Sequence, residues 1–314
     1  MKNPTAMPMV EAGAGWAPWR CSYCGSALLP HGEGLRCADE DRWFGTDGGV
    51  HRLLPADRRR ALQPFLELYQ RTRRDEGWRA ERGLPRVPPG HPHAKLWAGR
   101  AARFERGLVL AAQALPTPRW DVLEVGAGCA WVSARLVERG HRVAAVDVNL
   151  DPFDGLRGAD RLLDAPLRLA RAEAEMDELP LAPSAFDLVV AAGALHYTHD
   201  MPRTLVELRR VTRKGGLLLI LDSPTYRRRP DGEAMVADRM EALERRYSLP
   251  IPRESQSSYL VLGELRGVFS SAGWSLEVHG WPGRLREAVR DAVEIVRHGR
   301  RTARFPIMLA RRDG

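Results

Sequence analysis

The sequence predicts an α/β protein with a doubly wound, mostly parallel seven-stranded sheet, preceded by a small cysteine-containing module. From Trp120 onward, apolar runs of strand length alternate with helical patterns. Strands that are apolar along their whole length and separated by amphipathic helices are typical of a parallel sheet covered on both faces. Near the C-terminus the pattern changes to WSLEVHGW, a helix and the final strand FPIMLARR. This ending predicts an antiparallel hairpin added to the sheet edge.

The predicted strands and helices follow one another in regular order. The strands are DVLEVG, RVAAVDV, LRLARA, FDLVVAAG and LLLILD. The helix AWVSARLVERG stops at Gly140, because glycine is the common residue after a helix C-terminus. A second helix begins with Asp200 as its N-cap and is predicted to end at Gly215 and Gly216.

Composition divides the chain into four parts. Residues 1–19 are expected to form a flexible tail, and residues 20–55 a short, turn-rich module that contains three of the four cysteines. Residues 56–118 are predicted to form a helical connector and the N-terminal cap of the α/β domain. Within them the proline-rich LPRVPPGHPH separates two helices. Residues 119–314 form the α/β domain, with a lid segment at about 224–263, which is longer than a plain connection requires.

The overall charge and the cysteine content limit the class of protein. The formal net charge is +8, but lysine occurs only at Lys2, Lys95 and Lys214, so arginine dominates and the charge is weak evidence for nucleic acid. No apolar run approaches the roughly 18 residues that cross a bilayer, and the N-terminus lacks a secretory signature. Four cysteines do not make a disulfide framework in a chain this long. We therefore expect a cytoplasmic protein without a membrane partner; the sequence does not indicate its oligomeric state.

The stretch VLEVGAGCAW, residues 122–131, lies at the first strand-to-helix turn, where a doubly wound sheet binds its ligand. Gly126 and Gly128 allow a sharp turn and a close approach of the backbone to that ligand. Asp147 ends the second strand, the place from which an acid reaches a ribose diol. A dinucleotide fingerprint needs a third glycine where this chain has Trp131, so the pattern favours a different nucleoside-containing cofactor.

These motifs resemble those of the class I S-adenosylmethionine (SAM)-dependent methyltransferases with a UbiE-like domain. The first family motif is matched by Glu124, Gly126 and Gly128, and the ribose-binding acid by Asp147. The stretches AEMDELPLAPSAFDLVVAAGALHY and ELRRVTRKGGLLLI continue the likeness, which covers about residues 95 to 312. The resemblance implies a Rossmann-like methyltransferase fold with SAM as the cofactor.

The resemblance also implies the residues that hold SAM. Glu175 would face the adenine amino group and the Met176 backbone amide its ring nitrogen, while Glu173 lies close enough to be an alternative to Glu175. From the helix before the first strand, Arg100 would approach the SAM carboxylate. The full set of expected cofactor-binding residues is Glu124, Gly126, Ala127, Gly128, Asp147, Val148, Glu175, Met176, Ala192 and Arg100.

The acceptor is expected at the carboxyl ends of the fourth and fifth strands. His196 and Tyr197 follow the fourth strand and are candidates to position the acceptor or act as a base, while His196 could equally pack beside the cofactor. Tyr226 and Arg227 follow the fifth strand, and Tyr259 belongs to the predicted lid. Methyl transfer needs a base only when the acceptor must lose a proton, so the absence of a catalytic dyad does not argue against catalysis.

The spacing of Cys21, Cys24 and Cys37 is similar to that of a zinc ribbon. Structural zinc usually has four ligands, and here Glu40 or Asp41 stands where a fourth cysteine is common. A carboxylate can complete such a site, so one structural Zn²⁺ is a candidate cofactor. The other interpretation is a metal-free ribbon with reduced thiols. An N-terminal ribbon before a methyltransferase domain resembles the bacterial rRNA guanine-N1 methyltransferases.

Two functional hypotheses follow. The first is methyl transfer from SAM to a small-molecule acceptor by in-line displacement, indicated by the long lid-like segment and by the likeness of FDLVVAAGALHY to small-molecule enzymes. The second makes RNA the acceptor, with the ribbon contributing to RNA recognition. A non-catalytic SAM-binding protein is less favoured, because the cofactor motifs are intact.

Overall fold

A mixed sheet of nine strands forms the centre of the described part of the chain. The computed structural model of the protein describes residues 16–162, 169–248, 259–281 and 284–314. The strands are β1 (Leu28–His31), β2 (Gly34–Cys37), β3 (Arg42–Phe44), β4 (Thr46–Asp47), β5 (Val50–His51), β6 (Asp121–Val125), β7 (Arg142–Asp147), β8 (Leu169–Glu173), β9 (Phe186–Ala192), β10 (Thr212–Leu221), β11 (Thr225–Tyr226), β12 (Leu260–Val261), β13 (Trp274–His279) and β14 (Ile307–Arg312). The α-helices are α1 (Ala56–Asp75), α2 (Ala94–Ala114), α3 (Trp131–Glu138), α4 (Met201–Val211), α5 (Arg229–Tyr247), α6 (Leu262–Ser271) and α7 (Arg284–His298).

The strand order in the central sheet is β13-β14-β10-β9-β6-β7-β8-β5-β4. Strands β6 to β10 run parallel, and β14 is antiparallel to both β10 and β13. The parallel core is as predicted. The prediction of seven strands is too low, because the β4–β5 hairpin of the cysteine module pairs with the edge strand β8 through His51 and Ala172. The last two strands form the antiparallel hairpin that was predicted at the sheet edge, with β14 next to β10 and β13 outermost.

Helices cover both faces of the sheet. Alternate residues of β6 point to opposite sides, so Val122 joins one apolar cluster and Leu123 the other. The Val122 side contains Phe104 of α2 and Trp131 of α3, whereas the Leu123 side contains residues from α4 and α6, among them Phe269. This two-sided cover explains why the strands are apolar along their whole length.

Helix α4 begins as its sequence predicts and ends earlier. The Asp200 side chain accepts a hydrogen bond from the Arg203 amide at 3.0 Å, which is the expected N-cap interaction. The predicted end at Gly215 and Gly216 is wrong, because Thr212 already has extended backbone angles and begins β10. The two glycines lie inside that strand, where its pairing register with β9 shifts between Thr212 and Leu217.

The cysteine module, residues 20–55, is called the ribbon below, and it packs directly on the α/β unit. Its strands β1, β2 and β3 form a three-stranded antiparallel sheet. Trp19, Phe44 and Leu53 belong to the same buried cluster as Ala172 and Leu181. The predicted flexible tail lies outside the described residues up to position 15, and the prediction is wrong for residues 16–19, because Ala17 and Trp19 are buried in the same cluster. Residues 249–258 of the predicted lid also lie outside the described residues.

None of the described helices combines the length and the apolar character that a span through a bilayer requires.

Candidate active site

A cavity of about 850 Å³ opens at the carboxyl edge of the parallel strands. Its floor comes from the turns that follow β6, β7, β8 and β9, and its roof comes from helix α1. The floor includes Gly126, Gly128, Asp147, Val148, Glu175 and Met176. The sequence predicted all six of these as cofactor-binding residues, and the fold brings them to one wall. The name "cofactor cavity" is used for this cavity from here on.

The turn after β6 needs glycine for two separate reasons. Gly126 has a φ of +60°, and a Cβ atom there would lie 2.4 Å from the Cβ of Ala194. Gly128 has a φ of +53°, but a Cβ atom there would meet its nearest neighbour, the Asp154 carbonyl oxygen, at 3.6 Å. The left-handed backbone is needed at both positions, and the missing side chain is needed for space only at Gly126. Between them, the Ala127 amide donates to the Val146 carbonyl at 3.1 Å.

Backbone amides orient the carboxylate of Asp147. One oxygen accepts from the Gly128 amide at 2.7 Å, and the other accepts from the Asn149 amide at 2.6 Å. Burial raises the pKa of Asp147 to about 6, while these amide donors act in the opposite direction. Asp147 lines the cavity, and its carboxylate has lone-pair capacity left to accept two further hydroxyl donors.

The two candidate acids after β8 lie in different environments. Glu175 lines the cofactor cavity, and Arg58 of α1 binds both of its oxygens at 2.8 and 2.9 Å. Glu173 is buried and accepts from Arg52 at 2.6 Å and from Arg59 at 2.9 Å. Because Glu173 is not among the described residues that line the cavity, Glu175 is the better placed of the two.

Glu124 lies behind the glycine turn instead of facing the cavity. It is buried and accepts from both the amide and the hydroxyl of Ser133, at 2.8 and 2.5 Å, which links the end of β6 to the first turn of α3. Burial raises the pKa of Glu124 to about 8. The neighbouring Trp131 packs edge-to-face on Trp97 and Phe104, with ring centroids 5.7 and 5.3 Å apart. This indole fills the space where a dinucleotide-binding turn has its third glycine.

Arg100 and Ala192 lie beside the cofactor cavity, outside its described lining. The Arg100 guanidinium lies 3.8 Å from Asp222 and stacks over Trp97, and burial lowers its pKa. A Cβ atom on Gly193, which lines the cavity, would be 3.9 Å from the Arg100 guanidinium. Ala192 ends β9 directly before Gly193.

His196 and Tyr197 differ in access to the cavity. His196 is buried, its Nδ1 lies 3.3 Å from the Ser223 hydroxyl, and burial lowers its pKa to about 3. Tyr197 lines the cavity and packs edge-to-face against Tyr69 of α1, with ring centroids 6.2 Å apart. A neutral imidazole with so low a pKa is a weak base. Tyr197, which lines the cavity, is therefore the better placed of the two to contact an acceptor.

Helix α1 supplies cavity residues that the sequence motifs did not identify. Its apolar side chains Ala61, Leu62, Phe65, Leu66 and Tyr69 line the roof. Their spacing repeats every three or four residues, so the sequence does carry the signal of an amphipathic helix. That signal does not reveal what the apolar face covers.

The predicted acceptor residues of the fifth strand and the lid are not among the described residues that line the cofactor cavity. Tyr226 is buried in β11 and meets Tyr259 edge-to-face at 5.9 Å. A Cβ atom on Gly232 would lie 2.3 Å from the Tyr259 ring, which shows how closely α5 packs there. Arg227 continues the chain directly after Tyr226.

The ribbon brings three cysteine thiols together. The Sγ atoms of Cys21, Cys24 and Cys37 lie within 4.8 Å of one another, and those of Cys24 and Cys37 are 3.5 Å apart. All three are free thiols. Tetrahedral zinc with Zn–S bonds of about 2.3 Å needs sulfur atoms at such separations, so the donor set fits zinc. Neither Glu40 nor Asp41 belongs to this group; Asp41 pairs with Arg36 at 2.5 Å instead.

Comparison with known sequences adds the family. A family model described as "Methyltransferase domain" matches residues 123–220. The demethylmenaquinone methyltransferase of Thermobifida fusca is 32% identical over 170 residues, which cover 49% of this chain and 68% of the relative. An uncharacterized methyltransferase of Mycobacterium tuberculosis is 40% identical over 104 residues, or 33% of this chain. The chain spans only 40% of the length of that mycobacterial relative.

Solved structures with the same fold are more distant in sequence. A Bacillus halodurans protein crystallised as a candidate methyltransferase aligns with a TM-score of 0.50 at 17% identity, covering 68% of this chain and 100% of its own. The YcgJ protein of Bacillus subtilis has the same TM-score at 14% identity and covers 67% of this chain and 99% of its own. At such low identity these two structures show the fold alone.

Proposed function

The chain belongs to the class I SAM-dependent methyltransferases, and we propose that it transfers the methyl group of SAM to a neutral small-molecule acceptor. The observation that carries this proposal is the cofactor cavity, which combines a polar, glycine-lined floor with an apolar roof. The floor suits a nucleoside, and the roof suits an uncharged partner. We also propose Glu175 and Asp147 as the two acids that select the nucleoside.

The residues of the floor fit SAM. The Gly126 turn leaves a space that a Cβ atom would fill, and the Asp147 oxygens can accept from a ribose diol. Glu175 can accept from the adenine amino group, because Arg58 uses only part of the lone-pair capacity of its carboxylate. The side chain of Met176 also approaches the glycine turn, since a Cβ atom on Gly126 would lie 3.6 Å from its methyl carbon.

When bound, SAM supplies an activated methyl group on a sulfonium, which is the difficult part of the chemistry. The chain then has to orient two partners in line and exclude water, and such positioning can contribute several kcal/mol. Tyr197 and His199 line the cavity on the β9 side, so we propose Tyr197 as the residue that positions the acceptor. The buried His196 would hold Tyr197 in place by ring packing, with the two ring centroids 4.3 Å apart.

The side chains of the cavity favour an uncharged acceptor. Arg58 is paired with Glu175, and Arg203 at the rim lies 2.9 Å from Glu178. The remaining roof is apolar and aromatic, with Phe65 and Tyr69 packed 5.7 Å apart. One relative is named for methylation of demethylmenaquinone, which supports an acceptor of small-molecule size. We propose that Tyr226, Arg227 and Tyr259 contribute to acceptor selection.

RNA is the second candidate acceptor, and one feature of the ribbon favours it. Trp43 is 60% exposed, and the Arg42 guanidinium stacks over the exposed Tyr23 ring at 3.8 Å. Exposed aromatic rings beside arginine can stack on bases. The charge of residues 20–55 argues against this interpretation, because four arginines are outnumbered by five acids. A phosphate backbone needs a positive surface, so the small molecule remains our first choice.

We propose that the three cysteines of the ribbon hold one structural Zn²⁺. Three thiolates supply most of a tetrahedral site, and a solvent molecule or a carboxylate such as Glu40 would complete it. The free state of all four cysteines in the described structure supports a reducing, cytoplasmic location.

Calorimetric titration with SAM and its product S-adenosylhomocysteine (SAH) tests the proposed cofactor. We expect Asp147→Ala to weaken SAH binding by about 100-fold, because two hydrogen bonds to a charged acceptor are lost. Below pH 6 the Asp147 carboxyl is protonated, so wild-type affinity should fall by up to about tenfold per pH unit, whereas Asp147→Asn should show a flat profile. Asp238→Ala removes an exposed carboxylate on α5 and is the control. Unchanged SAH binding in Asp147→Ala would refute this site.

A further inference from the structure

The loop that follows β8, residues 174–182, pairs with residues 18–20, which lead directly into the ribbon. The Arg20 amide donates to the Pro180 carbonyl at 2.8 Å, and the Ala182 amide donates to the Pro18 carbonyl at 2.9 Å. Trp19 forms an antiparallel bridge with Leu181 between these two bonds. The loop carries Glu175 and Met176. The segment that pairs with the loop ends at Arg20, and Cys21 is the next residue. Cys21, a proposed zinc ligand, is therefore covalently adjacent to the pairing that shapes one end of the cofactor cavity.

The C-terminal end of the ribbon and the first turn of α1 bind the end of β8 and the loop after it through arginine side chains. After β5 pairs with β8, Arg52 binds the buried Glu173 carboxylate, and Arg59 binds it from the first turn of α1. Arg58, between them on α1, binds Glu175 with two hydrogen bonds. Bidentate arginine–carboxylate pairs fix the orientation of both groups as well as attracting them. These three arginines and two glutamates are called the arginine cluster below.

The orientation of Glu175 matters because only two of its lone pairs are taken by Arg58. The remaining ones can accept from an amino donor in the cavity, and their direction is set by the plane in which Arg58 holds the carboxylate. Without Arg58 the Glu175 side chain would be free to rotate. A carboxylate that has to be ordered on binding contributes less to affinity than one already in place.

We propose that Arg58 positions Glu175 for recognition of the adenine amino group, and that zinc binding by Cys21, Cys24 and Cys37 strengthens SAM binding through the ribbon. This inference rests on the proposed function, since it concerns the same cofactor cavity. Metal binding stabilises the folded ribbon, and the ribbon holds the loop and the arginine cluster in place. The coupling is reciprocal by thermodynamic necessity, so SAM or SAH must strengthen zinc binding by the same factor.

The positioning role of Arg58 is tested with SAH and its 6-deamino analogue, which has a hydrogen in place of the adenine amino group and keeps the ring nitrogens as acceptors. We expect wild-type protein to prefer SAH by about tenfold or more, because the analogue offers the Glu175 carboxylate no donor. Arg58→Ala should reduce this preference to less than about threefold, and Arg58→Lys should restore part of it. Arg60→Ala, an exposed arginine two residues away on α1, is the matched control and should keep the full preference.

A wild-type level of preference in Arg58→Ala would overturn the positioning role, because a merely structural arginine changes stability without changing which ligand is preferred. Failure of the wild-type protein to bind SAH at all would instead refute the proposed function. The two failures are therefore distinguishable in the same titrations.

The coupling to zinc is tested by SAH titration of zinc-loaded and chelator-treated protein, with circular dichroism to follow folding. We expect zinc to tighten SAH binding by about 5- to 20-fold, within the usual range of coupling between sites. The reverse arm starts from zinc-loaded, folded protein and measures zinc affinity by competition with a chelator, with and without saturating SAH. This arm decides the question even where the zinc-free chain unfolds.

An equal rise in zinc affinity with SAH would establish the coupling. Zinc affinity that does not change with SAH would overturn it, and so would the absence of bound zinc. Arg52→Ala leaves every thiol in place but removes one ion pair between the ribbon exit and Glu173. We expect this variant to bind zinc normally, but zinc should tighten its SAH binding by a smaller factor than in wild type. This result would show that the arginine cluster connects the zinc site to the cofactor cavity.

Discussion

The floor and the roof of the cofactor cavity are held by different kinds of interaction. On the floor, the Gly126 turn and Asp147 are fixed by backbone geometry and by amide hydrogen bonds from residues close in the fold. The roof helix α1 has 20 residues, of which only Thr72 is buried. Its ends are held by ion pairs: Arg58 with Glu175 at one end, and Arg73 with Asp154 and Arg74 with Asp151 at the other.

This difference indicates that the two walls have different stabilities. Opening the floor would break the parallel sheet, whereas lifting the N-terminal end of the roof would exchange the ion pair of Arg58, whose side chain is 49% exposed, for hydration, which costs little. The floor is thus preorganised for the cofactor, and we expect the cavity to open on the side of the roof. Substitutions in the two walls can test that contrast.

Gly126→Ala should damage the floor most. The new Cβ atom would lie 2.4 Å from the Cβ of Ala194 in a left-handed backbone conformation, so both overpacking and backbone strain apply. We expect a loss of about 4 kcal/mol in the free energy of unfolding, measured by urea denaturation. Gly128→Ala is the matched control, since its backbone is also left-handed but its Cβ has room. We expect it to cost about 1–2 kcal/mol, and equal losses in both variants would contradict the steric argument.

The sequence predicted the floor well because its signals are local. Gly126, Gly128 and Asp147 occupy fixed places at the ends of two adjacent strands, and a parallel sheet brings such places together whatever the rest of the chain does. Asp200 at the start of α4 was predictable for the same reason, since capping involves residues three apart.

The roof and the ribbon contacts could not be predicted in this way. Arg58 and Glu175 are 117 positions apart, and no periodicity in the sequence pairs one of the many arginines with a particular acid. The roof residues Phe65 and Tyr69 show helical spacing, but the identity of the surface that they cover depends on how α1 crosses the sheet edge. The excess chain length of the lid therefore predicts acceptor residues there, whereas the structure places the apolar face of α1 on the cavity.

The buried carboxyl group of Glu124 makes the stability of the floor depend on pH. Its pKa of about 8 in the folded protein lies above the reference value of 4.5, so the folded state retains a proton that the unfolded chain releases. The free energy of unfolding should therefore fall as pH rises from 4.5 to 8, by a few kcal/mol from this group alone.

Glu124→Gln tests this dependence, because an amide oxygen can still accept from Ser133 and does not titrate. Relative to wild type, we expect the variant to gain about 2–3 kcal/mol between pH 5.5 and pH 8.5 in urea denaturation. Glu105→Gln, whose side chain is 54% exposed on α2, should follow the wild-type slope. Parallel slopes for Glu124→Gln and wild type would show that Glu124 is ionised in the folded protein at neutral pH.

Phe65→Ala should have the smallest effect, and it tests the roof. Phe65 is half-buried and lines the cavity, so its loss removes apolar contact with a bound ligand while leaving the core untouched. We expect SAH affinity to fall by about five- to tenfold, corresponding to about 1 kcal/mol, and the free energy of unfolding to change by less than about 0.5 kcal/mol. Glu67→Ala, an exposed position on the same helix, should leave both quantities unchanged. A large loss of stability in Phe65→Ala would mean that α1 belongs to the rigid core, and the contrast between floor and roof would then fail.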